Sequence, residues 1–213
     1  METKIELISL SKSYGDKTVI RDLNRVFEHN MSCVITGPNG SGKTTLLKLI
    51  SGLLRPTDGR VELCLKGEKI PQKAVRKHVG LVSPDLNLYD RLTALENLSF
   101  FAKLRGFVCG PDRISELLET FQLLDCADRA VAHFSSGMKQ RLKFAFAFLH
   151  RPLFLLLDEP GAGLDGEGKA LVRIMVAEQK KRGIVVIATN EPEEVDEHGQ
   201  EVIDLGCCGS GSN

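Results

Sequence analysis

Neither sign of charge prevails in this chain: 28 Lys and Arg stand against 28 Asp and Glu, for a formal net charge of zero. There is no basic block to follow a phosphate backbone, so nucleic acid is not expected as a partner, and no acidic run marks a disordered arm. Long apolar runs are missing as well. The longest, near 144–149 and 153–157, fall far short of the roughly 20 residues that cross a bilayer. At the N-terminus Glu2, Lys4 and Glu6 are mixed with Ile5, Leu7 and Ile8, unlike a signal peptide, and a soluble, cytosolic chain is expected. Paired cysteines are absent too. Cys33, Cys64, Cys109, Cys126, Cys207 and Cys208 are scattered, with only the last two adjacent, and free thiols serving as small hydrophobes are expected. No repeat or long low-complexity segment occurs, and Gly209–Asn213 is expected to fray. What remains is 213 residues with 42% hydrophobic content, enough for one large domain or a core with an inserted subdomain.

The informative stretch is residues 37–45, Gly37-Pro38-Asn39-Gly40-Ser41-Gly42-Lys43-Thr44-Thr45. It meets the G-x-x-x-x-G-K-[ST] pattern at every fixed position, after a strand-like Cys33–Thr36 and before a helix-like Thr45–Ile50. Glycines let such a loop turn its N–H groups inward around an anion, and the helix N-terminus adds further donors. In this pattern Lys43 lies between the β- and γ-phosphates of a nucleotide and the Thr44 hydroxyl ligates Mg²⁺.

Around it, 4–10 and 18–27 read as an antiparallel pair of strands with Tyr14-Gly15-Asp16 in the turn. Tyr14 there is either a surface aromatic or a platform for a planar base. Arg55–Arg60 is a turn signal, 61–65 a strand, 72–78 a short helix and 79–82 a buried strand. Residues 93–105, 112–124 and 137–150 all carry helical spacing, with Thr93 and Glu96 as a cap and Pro111 opening the second. Leu153–Leu157 is a strand covered on both faces, ending in Asp158-Glu159 where α/β sheets bind ligands. Downstream of a phosphate loop this doublet predicts Asp158 on the Mg²⁺ shell and Glu159 orienting or deprotonating water. A helix over 167–182, a buried strand 184–188, a short helix 192–198 and a strand 201–205 complete the chain.

In that order, from about Ile5 to Leu205, the chain resembles the ATP-binding subunits of ABC transporters. Phe134-Ser135-Ser136-Gly137-Met138-Lys139-Gln140-Arg141 looks like the family signature, usually LSGGQ-x-R, with Ser135 and Gly137 matching. A Ser-Ser-Gly before a helix is on its own only a cap, but this one lies about 20 residues before Asp158-Glu159, as the family requires. Gly163-Leu164-Asp165 resembles the loop across which two subunits communicate, and Tyr14 falls where the family stacks adenine. The resemblance implies an α/β P-loop NTPase fold: a mostly parallel sheet flanked by helices, an N-terminal antiparallel β subdomain and an inserted helical subdomain. Within a single ABC ATPase domain over 1–213, it implies a core of 1–87 and 151–213 and a helical part, 88–150.

It also implies that two such domains pack head to tail around two ATP molecules. Each ATP is then held by one P-loop and by Ser135, Ser136 and Gly137 of the other subunit. The expected cofactors are ATP and Mg²⁺. The expected partners are a second ABC subunit, the same or different, and a separate membrane permease contacted around Leu86–Leu104, on the cytoplasmic face. Two departures stand out. Pro84 occupies the place of the usual Gln beside Mg²⁺, with Asp85 and Asn87 as the side chains near enough to substitute, and Asn190 replaces the usual His facing the γ-phosphate. Hydrolysis is still expected from Glu159 with Lys43 and Asn190, at reduced speed. The compact length is similar to that of small haem-exporter subunits; a soluble ATPase of assembly or regulation, such as that of iron–sulfur cluster assembly, is the alternative. A chromosome-type ATPase would need a long heptad insertion, and paired modules a second P-loop, and neither is present.

Overall fold

The computed structural model describes residues 2–107 and 109–206. Cys207, Cys208 and the closing Gly209–Asn213 lie outside the described residues. The chain opens with an antiparallel hairpin, β1 (Thr3–Tyr14) and β2 (Lys17–Glu28). Thr3, Ile5 and Leu7 are buried while Lys4, Glu6 and Ile8 are partly exposed, the period of a sheet covered on one face. Then come β3 (Ser32–Thr36) and α1 (Lys43–Ile50). β4 (Asp58–Leu65) and the short β5 (Glu68–Lys69) extend the antiparallel sheet to the order β2-β1-β4-β5.

Here the structure corrects the expected turn at 55–60. Asp58, Gly59 and Arg60 belong to β4, because β1 carries an extra residue between Ile8, paired with Arg60, and Ser11, paired with Asp58. Gly59 takes φ 72° against that bulge, and a Cβ on it would stand 2.1 Å from the Ser9 carbonyl oxygen. The glycine serves a strand irregularity, which in sequence looks like a turn.

A 3-10 turn at Gln72–Lys77 leads to β6 (Val79–Val82). Three helices follow: α2 (Ala94–Leu104), α3 (Pro111–Thr120) and α4 (Ser136–Phe148). α2 starts on the expected cap, with Glu96 N donating to Thr93 Oγ1 and Thr93 N donating to Glu96 Oε2. α3 stops short of the expected 124. Gln122 turns to φ 56° and Leu123 N reaches back to Leu118 O, closing the helix end. The chain ends with β7 (Phe154–Asp158), α5 (Gly166–Lys180), β8 (Ile184–Ala188), α6 (Pro192–His198) and β9 (Glu201–Asp204).

The second sheet is parallel throughout, in the order β6-β7-β8-β3-β9. β7 and β8 are buried at every residue, which explains their unbroken apolar runs. One face, with Val34, Leu155, Leu157, Val185 and Ile187, packs on α2, α3, α4 and α5; the other, with Cys33, Ile35, Leu156 and Val186, packs on α1 and the antiparallel sheet. The helices of 88–150 therefore share one core with the sheet. Cys33, Cys64, Cys109 and Cys126 are free; only Cys33 is buried, and burial pushes its thiol pKa up. Because the strands run parallel, the carboxyl ends of β3, β7 and β8 open at one edge, and the loops after them meet there.

At the seam between α4 and β6, His150 Nε2 lies 3.0 Å from Val79 O and the ring stacks on Phe107 with centroids 4.9 Å apart. Nδ1 is buried with no hydrogen-bond partner among the described residues. Burial, reinforced by the Arg105 charge, lowers the pKa from the ordinary 6.5 to about 4. A folded value below the unfolded one stabilises the fold above pH 6.5 and ceases to do so as pH falls towards 4. Between pH 7.5 and 5, the wild type is expected to lose about 2 kcal/mol more than His150→Gln in urea unfolding. Equal losses in the two proteins would remove His150 from the acid response.

Candidate functional site

The loop between β3 and α1 is held in a shape that needs its glycines. Gly37 sits at φ 138° and Gly42, the residue before α1, at φ 107°. A Cβ on Gly42 would stand 2.5 Å from Val19 Cγ1, so β2 presses against the loop. Lys43 is 7% exposed and its ammonium donates to the carbonyls of Gly37, at 2.7 Å, and Pro38, at 3.4 Å. Ser41 Oγ is buried in the same loop without a hydrogen-bond partner among the described residues. The first N–H groups of α1 lack intrahelical acceptors, as at any helix start.

Across from the loop, Thr44 Oγ1 donates to Asp158 Oδ2 at 2.8 Å. Asp158 is 3% exposed; burial raises its pKa, against the Thr44 hydrogen bond and the Lys43 charge. Glu159 takes a left-handed backbone, φ 48°, and its N–H donates to Ala188 O at 2.8 Å. Burial raises its pKa as well, with Lys43 opposing. Asn190, after β8, donates from Nδ2 to Asn39 Oδ1 at 3.0 Å. Asn39, Gly40, Gly42, Lys43, Thr44 and Thr45 face Pro84, Asp158 and Glu159 around a cavity of about 410 Å³, with Val19 on its rim.

A second cavity, about 540 Å³, adjoins Pro84, Asp158 and Glu159 from the other side and is lined there by Ser136, Lys139, Gln140, Lys143 and Gly163. Ser135 caps α4, accepting from Met138 N at 3.2 Å. Gly137 lies under the loop after β7: a Cβ on it would come 3.1 Å from Gly163 O. Gln140 Nε2 donates to Pro160 O at 3.2 Å, and Arg141 pairs with Asp165 at 3.2 Å. Asp165 in turn caps α5 through Gly168 N at 2.7 Å.

The structure thus brings together Lys43, Thr44, Asp158, Glu159 and Asn190. Ser135, Ser136 and Gly137 line no part of the loop cavity. Tyr14, 51% exposed with the Lys12 ammonium 5.1 Å from its ring centroid, lines neither cavity. Of the two side chains near Pro84, Asp85 pairs with Lys48 at 2.5 Å and Asn87 lines the second cavity. Gln140 belongs to the signature stretch but carries no assigned role there, while Val19 and Lys143 lie in regular elements where their residue types are ordinary, so no local signal distinguishes them.

A family model described as ABC transporter matches residues 20–162. The uncharacterised ABC transporter ATP-binding protein YxlF of Bacillus subtilis (strain 168) is 36% identical over 202 residues, 93% of this chain and 66% of its own length. The daunorubicin resistance ATP-binding protein DrrA3 of Streptomyces coeruleorubidus is 35% identical over 212 residues, 96% of this chain and 66% of its own. The chain thus spans just under two thirds of the length of these two relatives. A solved structure titled as the ATP binding subunit of an ABC transporter superposes with a TM-score of 0.80 at 26% identity, covering 95% of this chain and 86% of that one.

Proposed function

This chain belongs to the ABC transporter family, and from that premise we propose that it binds and hydrolyses ATP with Mg²⁺ as one of a pair of subunits that drive a membrane permease. The observation that carries this reading is the meeting of Lys43, the Thr44–Asp158 pair and Glu159 in one cavity that the signature residues do not reach. Held by Thr44 and Asp158, Mg²⁺ would neutralise phosphate charge. Lys43 exchanges the Gly37 and Pro38 carbonyls for phosphate oxygens, and the Ser41 hydroxyl, without a partner among the described residues, gains an acceptor. Glu159, with its pKa raised, orients water and takes its proton. Asn190 offers an amide donor in place of a charge. Pro84 offers no donor, and turnover is correspondingly slow.

Ser135, Ser136 and the Gly137 backbone then act on the ATP of the second subunit, with Asp165 in the loop between the two and Tyr14 against adenine. Among the described residues no helix is long and apolar enough to cross a membrane. The contact surface lies over Leu86–Leu104, where Tyr89, Phe100 and Leu104 are exposed. Its place is the cytoplasmic face. Purification of the tagged chain from solubilised membranes is expected to bring down an integral membrane protein. Recovery of soluble partners alone would instead favour an assembly or regulatory ATPase.

A further inference from the structure

The turn after β6 is tied to two helices by two lysines. From α1, which follows the phosphate loop, Lys48 pairs with Asp85 at 2.5 Å. From α4, which starts at the signature, Lys143 donates to the carbonyls of Ser83, at 3.2 Å, and Pro84, at 3.1 Å. Lys143 is half-buried, and burial lowers its pKa while Asp85 opposes the shift. The turn it grips is the wall common to both cavities, beside Asp158 and Glu159.

We propose that Lys143 is a positioning residue for hydrolysis: bonded to the Ser83 and Pro84 carbonyls, it holds the turn beside Asp158 and Glu159, a linkage from helix to site that the Pro84 side chain has no donor to make. The Lys48–Asp85 pair holds the same turn from the opposite side. The inference rests on the ATPase reading above.

The test is steady-state ATP hydrolysis, with melting temperatures, for the wild type, Lys143→Met, Lys143→Arg and Lys143→Met combined with Pro84→Gln. Lys143→Met is expected to lower kcat about tenfold, the scale of a small misplacement at a reacting centre, with KM for ATP and melting temperature nearly unchanged. Lys143→Arg, which retains the donors, keeps most of the activity. Pro84→Gln, which supplies a side-chain donor at the turn itself, is also measured alone, and the combined variant keeps a larger fraction of that single variant's kcat than Lys143→Met keeps of the wild type's. An active wild type with unchanged kcat in Lys143→Met overturns the role of Lys143 and leaves the ATPase reading standing. A loss of kcat that follows melting temperature, with no recovery in the Arg or Gln variants, overturns it also, by showing a purely structural lysine. A wild type that binds but does not hydrolyse ATP overturns both.

Discussion

Glu159→Gln is expected to lower ATP turnover by at least about a hundredfold, the lower range of what a positioned general base contributes, while ATP binding is retained. The substitution is nearly isosteric and leaves the backbone features that fix the position: φ 48° and the hydrogen bond from Glu159 N to Ala188 O. What it removes is the carboxylate, whose pKa burial already raises towards the range useful to a base. Asp158, with its Thr44 hydrogen bond, is untouched, so nucleotide and metal affinity should persist. Phosphate release assays at saturating ATP measure the loss. Turnover within a few-fold of wild type would take the base role away from Glu159.

Lys43→Ala is expected to weaken ATP binding by about a hundredfold, the size of one or two charge-assisted hydrogen bonds. The ammonium donates to Gly37 O and Pro38 O and exchanges them for phosphate oxygens, so the loss reads the difference between neutral and charged acceptors. Its removal also takes a brace out of the loop. Titration with a fluorescent ATP analogue reads the affinity directly. An unchanged dissociation constant would mean that the phosphates lie elsewhere.

Much of this site is legible in the chain because its parts are local. The phosphate loop is a contiguous motif, and β7 announces itself by five apolar residues ahead of Asp158-Glu159. Strand and helix types follow from period and caps, as at Thr93 and Pro111. What fails is whatever depends on a distant strand or helix. Gly59 reads as a turn because its partner bulge lies some fifty residues earlier, at Ser9. α3 ends early through a left-handed Gln122, a residue with no special preference for that conformation. The pairing of Asp85 with Lys48, on α1, is likewise invisible in the sequence. Lys143 is one more basic residue on a helix until the fold carries it to Ser83 and Pro84.

The signature residues carry the central claim, that this site is one half of a pair. Ser135, Ser136 and Gly137 line no part of the cavity formed by their own phosphate loop. Light scattering of Glu159→Gln, with and without ATP and Mg²⁺, tests that claim most directly. The account predicts a particle of twice the 23.4 kDa chain mass when ATP is present, returning to the monomer mass when it is withdrawn. A protein that binds ATP yet keeps the monomer mass throughout would contradict it.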